Sequence, residues 1–131
     1  MKRSGLFQRE GATVIAADSN EEALEKASEK ENVHGMRLDV SSNEAWDTFA
    51  KDVKEKFGSI DVLVNNAGVS SEKPYTEIGK DDWDFMMAIN GFGPFAGMKH
   101  IAPIMAEQRN GSIVNLLSYT TIIGQGFNTL L

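Results

Sequence analysis

Asp61-Val62-Leu63-Val64-Asn65-Asn66-Ala67-Gly68 is an apolar strand that runs straight into two asparagines and a glycine. In an open α/β sheet, a strand ending of this kind is where the carboxyl edge meets a ligand. The rest of the chain alternates around it. Residues 6–10 read as the end of a helix closed by Gly11, and residues 12–17 as a short strand ending at Asp18. Ser19 with Glu22 forms a capping box, so a helix is expected to about residue 30, followed by a second strand over 33–40. Ser41 with Glu44 repeats the box. Trp46, Phe49, Ala50, Val53 and Phe57 then recur at helical spacing up to Gly58.

Residues 60–65 are the third strand. Residues 81–108 read as mostly helical with an interruption around 91–97. Gly111 marks a turn and residues 112–117 a fourth strand. The last segment, 122–131, reads as a loop or the start of another helix. Strand alternating with helix predicts a parallel sheet with right-handed crossovers. The strands are apolar along their length, as in a sheet covered on both faces.

At 131 residues, with 41% hydrophobic content, the chain suits one domain with a core. It contains no cysteine, which excludes disulfides and thiolate metal sites and fits a reducing cytoplasm. No apolar run approaches a membrane span, and the basic Met1-Lys2-Arg3 start leads into no signal core. A net charge of −6 without a basic stripe argues against nucleic-acid or anionic-membrane partners. His34 and His100 lack further ligands at metal spacing, so no metal site is expected. The glycine-rich run Gly91-Phe92-Gly93-Pro94-Phe95-Ala96-Gly97 follows helical rather than strand sequence. It therefore lacks the strand–turn–helix context of a phosphate loop.

Four features, in this order, resemble the classical short-chain dehydrogenase/reductase family over almost the whole chain. They are Asp18 at a strand end, Leu38-Asp39-Val40, Asn65-Asn66-Ala67-Gly68, and Gly111-Ser112-Ile113-Val114-Asn115-Leu116-Leu117-Ser118. The resemblance implies a Rossmann-like doubly wound α/β sheet and a partial NAD(P)-binding domain over 1–131. It implies an oxidoreductase interconverting an alcohol and a ketone by hydride transfer.

Carried onto these residues, the resemblance gives Asp18 the adenosine ribose, where its carboxylate favours NAD and repels the extra phosphate of NADP. The other reading of Asp18 is a helper in capping the next helix. Asp39 and Val40 would flank the adenine, or else form a strand-end turn. Asn65, Asn66, Ala67 and Gly68 would pin the strands and border the cofactor. Asn90 stands at the family's active-site asparagine, which bends its helix and holds a water in a proton relay. The other reading is an ordinary polar residue on a helix that Gly91, Gly93 and Pro94 kink. Ser118 matches the serine that holds the substrate oxygen.

The family's first strand with its glycine-rich turn, and its Tyr-x-x-x-Lys expected at or just beyond Leu131, have no counterpart in these residues. Tyr119 is no substitute. The expectation is a sheet truncated at both ends and lacking its central strand, with exposed edges, poor stability and no turnover by the chain alone. The alternative function is an inactive nucleotide-binding module, or one that pairs with an intact homologue. Expected partners are a small alcohol or ketone and, as in relatives, further copies of the chain.

Overall fold

The computed structural model describes residues 4–118. The readings of 122–131, of Tyr119 and of the Tyr-x-x-x-Lys position lie outside those residues. The described chain divides after Asp39 into two compact units.

The first unit holds α1 (Ser4–Arg9), β1 (Val14–Asp18), α2 (Glu21–Ser28) and β2 (Val33–Arg37). Helix α1 ends as the sequence predicts. Gly11 adopts φ +86°, its N–H donates to Gln8 O and the N–H of Ala12 donates to Phe7 O. This is a Schellman closure, which needs a residue free to enter the left-handed region.

Strands β1 and β2 pair in parallel, Val14 opposite Val33 and Asp18 opposite Arg37. The N–H of Leu38 donates to Asp18 O, so the ladder runs one bond past β2. Ala16, Ala27 and Val33 form the unit's core, with Val14 against them. Ser28 stitches the helix to the strand: its hydroxyl donates to Leu24 O and accepts from Gly35 N, each at 2.9 Å. A Cβ at Gly35 would lie 2.7 Å from that hydroxyl, so only glycine permits the stitch.

The second unit holds α3 (Asn43–Phe57), β3 (Val62–Asn65), α4 (Lys80–Met87), α5 (Gly93–Gln108) and β4 (Ser112–Asn115). A 3-10 turn (Tyr75–Glu77) precedes α4, and a π-turn (Ala88–Phe92) joins α4 to α5. Strands β3 and β4 are parallel, with Asn65 opposite Asn115. Trp46, Ala50 and Val53 of α3 are buried with Ala96, Ile101 and Met105 of α5. Trp46 meets Phe49 edge-on, and its ring N–H donates to Val40 O at 3.1 Å.

The architecture is α/β with parallel strands, as expected, but the sheet is partial. Its four strands pair two by two, and no strand among the described residues links the pairs. Val62, Val114, Leu116 and Leu117 are left exposed, Leu117 at 83%.

Local boundaries differ from the sequence reading in three places. Both N-caps sit one residue later than expected. Asn20, not Ser19, accepts from Ala23 N, and Ser42, not Ser41, accepts from Ala45 N. Each expected box places the cap one residue too early, because the extended backbone that a cap requires falls at Asn20 and Ser42. The strands are also shorter than their apolar runs: β2 stops at Arg37 and β4 at Asn115. Finally, the helical interruption is the π-turn alone. Gly93 to Gly97 lie in regular α-helix, with Pro94 in its first turn, where a missing N–H costs nothing. The glycine-rich run is thus no phosphate loop.

Candidate functional site

In the first unit, Asp18 ends β1 and Asp39 follows β2. Both lie at the carboxyl edge of parallel strands, where open α/β sheets receive ligands. Asp18 Oδ1 accepts the N–H of Asn20 at 3.0 Å. That bond supports the turn into α2, so the capping role is real. It also orients the carboxylate, and a carboxylate has acceptor sites on two oxygens. Such a group fits a vicinal diol, so the residue's two readings are compatible. Asp39 is exposed.

In the second unit, Asn65 is a buried polar residue of the core, 8% exposed. Its Nδ2 donates to Asn115 Oδ1 at 2.8 Å and to Pro94 O at 3.4 Å. The N–H of Leu116 donates back to Asn65 O. Asn65 therefore pins β4 and α5 to the end of β3. Its Oδ1 occupies the space a side chain at Gly97 would need, since a Cβ there would stand 2.8 Å away. Asn66, Ala67 and Gly68 are exposed on the chain that leaves β3. A Cβ at Gly68 would meet only Asn90 Oδ1, at an ordinary 3.6 Å. The position does not by itself demand glycine.

Asn90 lies in the π-turn. Both polar atoms of its side chain bond the Val69 backbone: Nδ2 donates to Val69 O at 2.7 Å and Oδ1 accepts from Val69 N at 2.8 Å. The main-chain carbonyl of Asn90 is a second polar group at this turn. In a continuous α-helix the Asn90 carbonyl would receive the N–H four residues on, but residue 94 is proline and has none. The turn closes through Gly93 N–H to Ala88 O, and short π segments recur at functional positions.

Ser118 is half-buried, three residues beyond β4. Val40 packs in this unit against Gly93, where a Cβ would come within 3.2 Å of its Cγ2.

Several supporting residues carry no legible signal in the sequence. Asn115 is quoted within a motif, but its bond to Asn65 spans 50 positions. Gln108 clasps Ile60, with Nε2 donating to O and Oε1 accepting from N, both at 3.0 Å. Gln108 and Asn90 thus bind the backbone on either side of β3 in the same bidentate way. The loop after Gly68 is tied down by Lys73, whose Nζ donates to Asp82 Oδ1 at 2.6 Å. That contact, first, and the Gly79 N–H second, hold the Asp82 carboxyl below its ordinary range. Among the described residues no cluster of His, Cys, Asp or Glu is arranged to hold a metal, and no helix is long and apolar enough to cross a membrane.

The family model described as enoyl-(acyl carrier protein) reductase matches residues 4–129. The 3-oxoacyl-[acyl-carrier-protein] reductase FabG of Thermotoga maritima is 39% identical over 124 residues, which cover 91% of this chain and 50% of that protein. Among solved structures, gox2181 matches with a TM-score of 0.91 at 28% identity, covering 96% of this chain and 51% of that one. The closed form of a serine dehydrogenase complexed with NADP+ matches with a TM-score of 0.85 at 26% identity, covering 93% and 50%. The chain thus spans about half the length of the curated relatives it matches.

Proposed function

The chain belongs to the short-chain dehydrogenase/reductase family, and we propose that the protein is an NAD(H)-dependent oxidoreductase that interconverts an alcohol and a ketone in the cytoplasm, with residues 1–131 forming part of its NAD(P)-binding domain. Relatives named for a 3-oxoacyl group and for cyclopentanol support an alcohol–carbonyl pair. Bound at the site, the cofactor would supply the hydride donor or acceptor.

This chain's own residues contribute binding and orientation. Asp18 accepts the hydroxyls of the adenosine ribose and Asp39 the adenine amine, with Val40 as the apolar face. Asn65 holds the strand ends, so that Asn66, Ala67 and Gly68 border the cofactor. Ser118 donates to the substrate oxygen and orients it. Asn90 contributes its carbonyl to a water in the proton path, its side chain being spent on Val69.

The observation that carries the cofactor reading is the carboxylate of Asp18 at the end of β1, with one oxygen held by Asn20 N–H. A fixed negative charge there disfavours a phosphorylated ribose. The NADP+ in the serine dehydrogenase complex belongs to that protein; the choice of NAD here rests on Asp18. Titration with NAD and with NADP tests it. Asp18→Ala should weaken NAD by on the order of tenfold or more, since a charged acceptor is lost. Asp18→Asn keeps an oxygen for Asn20 and should narrow the gap between the two cofactors. Unchanged affinities in both variants would end the assignment.

A further inference from the structure

The chain contains two Asn-Gly pairs, Asn90-Gly91 and Asn110-Gly111, and the fold treats them in opposite ways. Asn-Gly is the dipeptide in which a backbone nitrogen most easily reaches the preceding side-chain carbonyl, because glycine offers no Cβ to block the approach.

Asn90-Gly91 sits inside helical backbone, and both atoms of the Asn90 amide are held by Val69. Asn110-Gly111 lies outside helix and strand, and both residues are exposed. Asn110 follows Arg109, which adopts a left-handed φ of 56° and ends α5. Among the described residues no hydrogen bond engages the Gly111 N–H. The Asn110 amide makes one long contact, Nδ2 to Asp61 Oδ1 at 3.3 Å. The glycine is also locked in by packing: a Cβ at 111 would stand 2.4 Å from Met105 Cγ, so this junction of α5 and β4 requires Gly111.

We propose that Asn110 is a site of spontaneous modification, converted by the backbone of Gly111 and water to aspartate and isoaspartate, while Asn90 is protected. The Gly111 nitrogen loses its proton to hydroxide and attacks Asn110 Cγ. A new C–N bond forms, the old one breaks, and the side-chain nitrogen leaves as ammonia. Water then opens the cyclic imide at either carbonyl. No electrons are exchanged.

The product sits badly. Asp61 now receives the Asn110 amide on Oδ1 and the Ser59 hydroxyl on Oδ2. After conversion a carboxylate faces a carboxylate, beside the Ser112 N–H to Asp61 O bond that starts the β3–β4 ladder. Isoaspartate also lengthens the backbone at that point. The modification therefore loosens the amino end of the pair whose carboxyl end carries Asn65 and leads to Ser118.

Holding the purified 131-residue chain at mildly alkaline pH, with tryptic mass mapping and enzymatic methylation of isoaspartate, tests this. Trypsin cleaves after Lys99 and after Arg109, so Asn90 and Asn110 fall in different peptides. Asn110 should convert faster than Asn90 by on the order of thirty-fold, the factor that two net hydrogen bonds supply. In concentrated urea the two rates should converge, and Asn110→Gln should abolish the signal at that peptide alone. Equal rates in native buffer, or an Asn110 that outlasts Asn90, would overturn the proposal.

Discussion

Asn90 and Val69 are joined by two hydrogen bonds in opposite directions, side-chain amide to carbonyl at 2.7 Å and backbone N–H to side-chain oxygen at 2.8 Å. An amide paired this way imitates one rung of a β-ladder. It gives the chain leaving β3 a partner where the sheet offers none, satisfying backbone groups that would otherwise need another partner.

Asn90→Ala should therefore free the Val69 amide. Two net hydrogen bonds at a part-buried position place the cost at about 1–3 kcal/mol. The variant should exchange Val69 N–H with deuterium far faster than the parent chain, while amides of α3 keep their protection. If Val69 exchange is unchanged, the clamp is a static contact with no energetic weight.

Gly97 faces a different constraint. A Cβ there would lie 2.8 Å from Asn65 Oδ1 and 3.0 Å from the Trp46 ring, both buried groups with nowhere to move. Gly97→Ala should lower stability by about 1–3 kcal/mol, the usual cost of overpacking. Gly68→Ala, with its nearest neighbour at 3.6 Å, should change it little. Urea titrations followed by tryptophan fluorescence compare the two. Equal midpoints would mean that α5 shifts to admit the methyl group.

Asp82 sets an acid limit on the loop before α4. Lys73 and, after it, the Gly79 N–H favour its charged form, so its folded pKa lies below the ordinary 3.8. A depressed carboxyl pKa adds stability above the unfolded value, and that stability is lost as pH falls through the folded one. Loop protection should thus be constant from neutral pH down to about pH 4 and decline below it. Asp82→Asn should remove that step, because the neutral amide forms no ion pair with Lys73. An identical acid profile in the variant would assign the step to another carboxylate, such as Asp47, which Lys51 likewise holds low.

Read alone, the residues determined the alternation of strands and helices, the closures at Gly11 and Gly58, the buried stripe of α3 and the strand ends that carry Asp18 and Asn65. These depend on side-chain period and on glycine's access to positive φ, both properties of a few adjacent residues. Asn65-Asn66-Ala67-Gly68 was legible as a family element for the same reason. Which of two neighbouring residues caps a helix was not legible, because the start of α2 is set by where β1 releases the chain. The π-turn was likewise hidden. Glycine and proline at 91, 93 and 94 announce a break, but the bond between Asn90 and the Val69 backbone, 21 positions away, belongs to the tertiary structure. Asn115 against Asn65 and Gln108 against Ile60, 50 and 48 positions apart, belong to the tertiary structure entirely. Polar side chains acquire such partners only when packing removes water from around them, and the chain cannot name those partners until its strands have paired.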